Sequence, residues 1–173
     1  LPLVVSPYDA ELFGHWWFEG PDFLYNVFKM IDAYKQFKPI TPSEYLQLYP
    51  ENQVIRPSPS SWGDKGYYEV WLNPENHWVY KYLHQMEEDF VQLKKIYGSN
   101  DIIKQMEREL LLAQSSDWTF LITTQTAKYY ATNRLKEHIH NFYRLKEMLD
   151  TNIIDFDYLN KLKEKNSIFS EIL

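Results

Sequence analysis

From Val79 to Tyr97 the apolar residues fall on one helical face: Val79, Leu83, Met86, Phe90, Leu93 and Tyr97 follow one another at intervals of three or four. That period fits an α-helix and excludes a strand. Asn73-Pro74 caps the helix and Gly98 supplies its C-terminal stop. A single apolar stripe has to be buried against others. Two more follow. Ile103, Met106, Leu110 and Ala113 form one after Ser99-Asn100-Asp101, and Leu135, His138, Phe142, Leu145 and Leu149 form the other. Between them Gln114-Ser115-Ser116-Asp117-Trp118 is a polar break, with Asp117 a natural N-cap for a helix starting at Trp118.

The first half is less regular. Gly20-Pro21-Asp22 opens a helix with Phe23, Val27, Met30, Ile31 and Tyr34 at helical spacing, expected to end at Lys38-Pro39. Thr41-Pro42-Ser43-Glu44 has the form of a capping box and starts a short helix stopping near Tyr49-Pro50. Residues 50–74 hold Pro50, Pro57, Pro59, Pro74, Gly63 and Gly66 and form a long irregular stretch. It carries Trp62, Tyr67, Tyr68 and Trp71, too aromatic for a plain linker. Two readings stay open: an ordered loop folded over a ligand site, or a loop pinned to its own domain by a tryptophan anchor. From Asp150 on, a Lys- and Asn-rich tail predicts a last short, mostly solvated helix over residues 155–163, frayed at its end. The expected fold is mainly α: five or six helices in a bundle, preceded by one strand (Leu1 to Val5, short and rich in branched residues) and the long aromatic loop.

A formal net charge of −6 argues against a nucleic-acid partner, which would require a basic patch. No stretch approaches the roughly 20 apolar residues of a membrane span, so no membrane partner is expected. The absence of cysteine excludes disulfides and thiol nucleophiles and fits a cytoplasmic location. His138 and His140 lie two apart, on different faces of a helix, so they cannot share a metal there. His138, on the apolar stripe, reads as a partnered core histidine. No metal and no cofactor is expected. The chain begins with Leu, on a strand with no neighbour in this sequence, and is expected to be a piece of a longer protein.

Chemistry concentrates just past that strand, in Ser6-Pro7-Tyr8-Asp9-Ala10-Glu11-Leu12-Phe13-Gly14-His15-Trp16-Trp17-Phe18-Glu19-Gly20-Pro21. Substrates of sheet-based enzymes bind at the carboxyl ends of strands. The stretch has no nucleophile elbow and no phosphate-cradling glycine loop. A carboxylic acid beside large aromatics suits glycoside hydrolysis, where one acid protonates the leaving oxygen and flat indoles stack on sugar rings. The alternative is structural, with Asp9 capping a turn and the tryptophans in a core.

The run YDAELFGHWWFEGP resembles the fourth signature motif of glycoside hydrolase family 57. Downstream, Ser61-Trp62-Gly63, Trp71 and Arg108 to Trp118 resemble later motifs of that family's 1,4-α-glucan branching enzymes, so matches extend from residue 3 to about residue 145. The resemblance implies the C-terminal part of an incomplete seven-stranded β/α barrel enzyme. Residues 1–40 would hold the last barrel strand, the catalytic-acid motif and the following helix; 41–173 would be a C-terminal helical domain with an aromatic substrate loop at 50–74. It implies a retaining mechanism with Asp9 as general acid and base. His15, Trp62, Trp71, Gln114 and Asp117 would bind the substrate, an α-1,4-glucan such as amylose or a glycogen-like chain.

One departure is large. Nothing here resembles the strand that carries the family's glutamate nucleophile, and Glu11 is not expected to replace it. The missing N-terminal catalytic half of the same protein is therefore an expected partner, and these residues alone are expected to be inactive. The sister activities, α-amylase and 4-α-glucanotransferase, stay open as alternatives. So do a non-catalytic α-glucan-binding module and a purely structural helical domain.

Overall fold

The structure is a computed structural model that describes residues 3–169. Among the described residues all regular secondary structure is helical, with no strand. The helices are α1 (Gly20–Tyr34), α2 (Pro42–Leu48), α3 (Trp78–Tyr97), α4 (Asp101–Ala113), α5 (Asp117–Thr124), α6 (Lys128–Thr151) and α7 (Phe156–Lys165). A π-helical turn, Leu12–Trp16, precedes α1, and a 3-10 turn, Asp64–Gly66, precedes α3. The chain divides into two compact units, Leu1–Pro57 and Ser58–Leu173.

The strand expected over residues 1–5 is not formed in its described part, Leu3 to Val5, whose side chains are exposed. A strand completes its backbone hydrogen bonds only on a neighbour, and no described segment pairs with this one. Leu1 and Pro2 lie outside the described residues.

In the first unit, α1 stops at Tyr34, earlier than Lys38-Pro39, because Lys35 turns left-handed (φ 53°) and closes the helix on Ile31 O. The capping box of α2 forms as expected. Thr41 Oγ1 accepts from Glu44 N at 3.3 Å, and Glu44 Oε2 accepts from Thr41 N at 2.9 Å. Much of the apolar side of α1, including Phe23, Phe28, Met30 and Tyr34, is exposed.

The second unit holds the core. Val79, Leu83, Met86, Phe90 and Leu93 of α3 pack with Ile102, Ile103, Met106, Leu110 and Ala113 of α4. The stripe of α6 and Leu159 and Leu162 of α7 complete the cluster. At the centre, α4 touches α3, α6 and α7 and is buried on most of its circumference. Asn100 caps it, accepting from Ile102 N and Ile103 N at 3.0 Å each. The tail helix α7 is capped by Asp155, which accepts from Tyr158 N at 3.0 Å, and is docked on α4.

Because α4 is buried nearly all round, its polar residues must find partners inside. Gln105, Arg108 and Glu109 are all buried. The Glu109 carboxylate accepts from Asn166 at 2.7 Å, His138 Nδ1 at 2.8 Å, Gln105 at 2.9 Å and Asn141 at 3.1 Å. Asn141 in turn accepts from Tyr158 OH at 2.7 Å, and Arg108 donates to Gln105 at 3.1 Å and to Ile168 O at 2.9 Å. Three segments, α4, α6 and the turn that ends α7, converge on one carboxylate. His138 is thus the partnered core histidine expected from its position. An ionised carboxylate only accepts, so its proton sits on Nδ1; Nε2 is buried with no partner among the described residues.

Burial is the largest single influence on Glu109 and opposes its charge. The hydrogen bonds from His138, Asn166, Gln105 and Asn141 outweigh it and hold the carboxyl below the ordinary value of 4.5. The folded chain therefore binds fewer protons at this site than the unfolded chain. Its stabilisation is complete above pH 4.5 and fades as pH falls through the lower folded value. Glu109→Ala, which strands four buried donors, is expected to cost about 3 kcal/mol or more in urea unfolding at neutral pH. That deficit should shrink as pH drops below 4.5, since only the parent loses the carboxylate's contribution there.

Candidate functional site

In the first unit, the residues around Asp9 are held by a ladder of aromatic rings. Tyr8 meets Phe13 edge-on at 5.7 Å, Phe13 meets Trp17 at 5.8 Å, and Trp17 meets Phe23 of α1 at 4.9 Å between centroids. Gly20 makes the ladder possible. A Cβ there would stand 2.9 Å from the Phe13 backbone, too close for any other residue. The backbone closes the turn through Leu12 N to Asp9 O at 3.1 Å and Trp17 N to Leu12 O at 2.9 Å.

Leu12, Phe13 and Trp17 are half-buried in this turn, and Asp9, Glu11, His15, Trp16 and Phe18 are exposed. Asp9 is exposed, and its carboxylate accepts no hydrogen bond among the described residues, so it does not act as a side-chain cap. It lines an open cavity of about 320 Å³ with Pro7, Tyr8, Glu11, Leu12 and Trp16. Trp16 is 74 % exposed, and the exposed His15 ring packs on it at 5.0 Å. The adjacent tryptophans thus differ: Trp17 is partly buried in the ladder, and Trp16 presents its ring to solvent.

In the second unit, the aromatic loop is tied down by a set of polar side chains. Ser61 N donates to Gly66 O at 2.9 Å and Gly63 N to Ser61 Oγ at 3.0 Å, making a tight turn in which Lys65 (φ 57°) and Gly66 (φ 77°) are left-handed. Asn76, fully buried, donates to Thr123 Oγ1 at 3.0 Å while its own Oδ1 accepts from Asn73 N at 2.8 Å. Thr123 Oγ1 donates to Val70 O at 2.6 Å, and Tyr80 OH donates to Trp71 O at 2.7 Å. These bonds fix the backbone on both sides of Trp71 to α3 and α5.

On that base Trp62, Trp71 and Phe120 assemble. Trp62 meets Trp71 edge-on at 4.9 Å, and Phe120 lies 5.8 Å from Trp62 and 6.4 Å from Trp71. Trp71 is half-buried, whereas Trp62 is 79 % exposed. The loop is both pinned and open, so the two readings of it are compatible. Phe120 was not singled out by the sequence; its only signal was proximity to the polar break at Gln114 to Trp118.

At that break, Gln114 donates to Glu87 Oε1 at 2.7 Å. Asp117 is not the N-cap of α5. It is the first helical residue, Ser116 holds the cap position without a side-chain bond, and the Asp117 carboxylate accepts from Ser115 Oγ at 2.9 Å. An acid in the first turn still suits the helix dipole. Trp118 donates to Leu112 O at 2.7 Å and sets the angle of the junction. No hydrogen bond among the described residues links Gln114 or Asp117 to Trp62 or Trp71. Asp9 and His15 lie in the first unit and Trp62, Trp71, Gln114 and Asp117 in the second.

Among the described residues no three His, Asp or Glu side chains converge as a metal site requires, and no helix is long and apolar enough to cross a membrane.

The family described as "1,4-alpha-glucan branching enzyme, C-terminal" matches residues 82–173. The 1,4-α-glucan branching enzyme of Thermococcus kodakarensis is 34 % identical over 99 % of this chain and 27 % of its own length. A GH57-type branching enzyme from Pyrococcus horikoshii has a similar solved structure, at 37 % identity and a TM-score of 0.79, over 98 % of this chain and 34 % of that one. A Thermotoga maritima structure described as a novel α-amylase superposes with a TM-score of 0.71 at 42 % identity, over 98 % of this chain and 32 % of that one. The chain thus spans between about a quarter and a third of the length of these relatives.

The aromatic cluster depends on a position with no side chain. A Cβ on Gly63 would come within 2.8 Å of the Trp71 ring and 3.1 Å of Val70. Gly63→Ala is expected to push Trp71 aside and change the tryptophan signal in near-UV circular dichroism, with a stability loss of about 1–3 kcal/mol. An unchanged near-UV spectrum would show that the loop absorbs the methyl elsewhere.

Proposed function

The chain belongs to the 1,4-α-glucan branching enzyme C-terminal family, and from that premise we propose that it supplies the proton-transferring group and the glucan-gripping aromatic surface of a retaining branching enzyme. What most supports the reading is the state of Asp9: an exposed carboxylate without a structural hydrogen bond, on the rim of an open cavity beside the free face of Trp16.

In the whole protein, Asp9 protonates the glycosidic oxygen of the leaving glucan while a glutamate from the remainder of the barrel attacks the anomeric carbon. The two carboxyls of such a pair stand about 5–5.5 Å apart. The deprotonated Asp9 then takes the proton of an incoming 6-hydroxyl, whose oxygen displaces the glutamate and forms the α-1,6 linkage. Glycogen-type polysaccharide synthesis in the cytoplasm is the setting such a reaction serves. Trp62 and Trp71 stack on the glucan and hold water out, which favours transfer over hydrolysis. His15, Gln114 and Asp117 bind sugar hydroxyls. Leu3 to Val5, unpaired here, becomes the last barrel strand once the N-terminal half offers a neighbour. The exposed apolar side of α1 packs against the same half.

The resemblance to the Thermotoga maritima α-amylase supports a second reading, hydrolysis by the same carboxylates. Product analysis separates them: new α-1,6 linkages for branching, new reducing ends for hydrolysis. In the whole protein Asp9→Asn is expected to lower turnover by about 10²- to 10⁴-fold while glucan binding survives. Loss of binding together with turnover would instead make Asp9 structural. Trp62→Ala is expected to raise the share of hydrolysis among products, measured as reducing ends formed per α-1,6 linkage.

A further inference from the structure

A second concavity lies in the Ser58–Leu173 unit and shares no lining residue with the Trp62–Trp71–Phe120 cluster. It has a volume of about 630 Å³ and is bounded by α3, α5 and α6. Phe120 faces the cluster and Ile122 lines this groove; two residues apart, they lie on different sides of α5. The volume falls within the range of small-molecule sites, about 300–1,000 Å³.

Its wall carries two aromatic rings one helical turn apart, Trp78 and Tyr82, set edge-to-face at 6.1 Å. The indole is held in place from behind, since Trp78 Nε1 donates to Glu75 O at 3.1 Å. Lys136 Nζ lies over the indole, 5.9 Å from its centroid, and Ile122 and Ile139 complete the apolar lining. The polar lining is of mixed sign. Glu75 accepts from Lys128 at 2.7 Å and from Gln125 at 2.9 Å, which cancels one lysine against one carboxylate. Lys136, His140 and Thr132 add donors and a hydroxyl.

An anion would call for a concentration of positive charge and a cation for the reverse. A neutral polyhydroxylated ring with an apolar face fits what is present: the exposed Tyr82 ring, set against an immobilised indole, for the face, and donors and acceptors side by side for the hydroxyls. We propose that this groove is a second α-glucan-binding site, holding a segment of the polymer on the helical unit apart from the aromatic loop. The inference rests on glucan being this protein's ligand. Two sites on one polymer act together, so losing either weakens retention by the long chain.

The test uses the whole protein and electrophoresis in gels cast with and without glycogen. Tyr82→Ala removes an exposed ring of the wall, and Thr132→Phe fills the groove from α6 with an added side chain. Thermal unfolding of both variants establishes that they are folded. Both are expected to lose glycogen affinity about fivefold, the worth of an aromatic contact. Retardation of both variants equal to the parent overturns the groove and leaves the aspartate reading standing. A parent protein that glycogen does not retard at all overturns both.

Discussion

The second unit is organised by a carboxylate that cannot be left alone. Glu109 sits on the helix that every core helix but α5 packs around, and a charge with no partner there would cost several kcal/mol. Its four donors come from α4 itself, from α6 and from the turn that ends α7. A shift of any of these by one residue would strand a donor or the carboxylate, so the network selects one register where apolar packing alone would tolerate several. The same logic reaches the chain end: Arg108 bonds the Ile168 carbonyl, and Gln105 the Leu162 carbonyl at 3.3 Å. The last helix is mostly solvated, as its sequence predicts, yet Leu159, Leu162 and the capping Asn166 tie it to the interior.

That rigid base is what allows the aromatic loop to be exposed. Leaving a large apolar side chain in water forgoes about 2 kcal/mol or more of burial. The loop therefore needs compensating ties, and they are polar: Asn73, Asn76, Thr123 and Tyr80 saturate the backbone around Val70 and Trp71. Trp71 spends half its surface as the anchor, and Trp62 stands on it. An indole so placed keeps its face available without the entropy of a free loop, which is the condition for repeatable stacking on a ligand.

The helices were legible because their signal is local. The stripes of α3, α4 and α6, the capping box at Thr41 and Glu44, and the proline start of α1 are all patterns within a few residues of one another. What was not legible depends on distant partners. Nothing near His138 names Glu109, 29 residues away, as its acceptor. Gly63 reads as an ordinary turn glycine until Trp71 is seen lying against it, and Phe120 joins Trp62 across a long stretch of chain. Helix ends failed for a subtler reason: Lys35 adopts a left-handed turn that glycine usually takes, and Ser116 occupies the cap position where Asp117 had the better side chain. The strand expected at Leu3 to Val5, which is not formed, failed for another reason, since no segment can be a strand without something to pair with.

The aromatic residues divide by what their rings already touch, and that division separates scaffold from surface better than residue type does. Tyr8, Phe13, Trp17 and Phe23 touch in series, with Phe13 and Trp17 half-buried between the exposed Tyr8 and Phe23, and so shape the turn that carries Asp9. Trp118 and Trp78 each give the indole N–H to a backbone carbonyl, fixing the ring's orientation. Trp16 and Trp62 differ in keeping a large free face on a backbone that is otherwise held. A tryptophan wholly in a core needs no such support, and one on a loose loop would have no defined position. Exposure combined with immobility is what carries information about a ligand, and Trp16 has it beside Asp9, a carboxylate that accepts no hydrogen bond among the described residues.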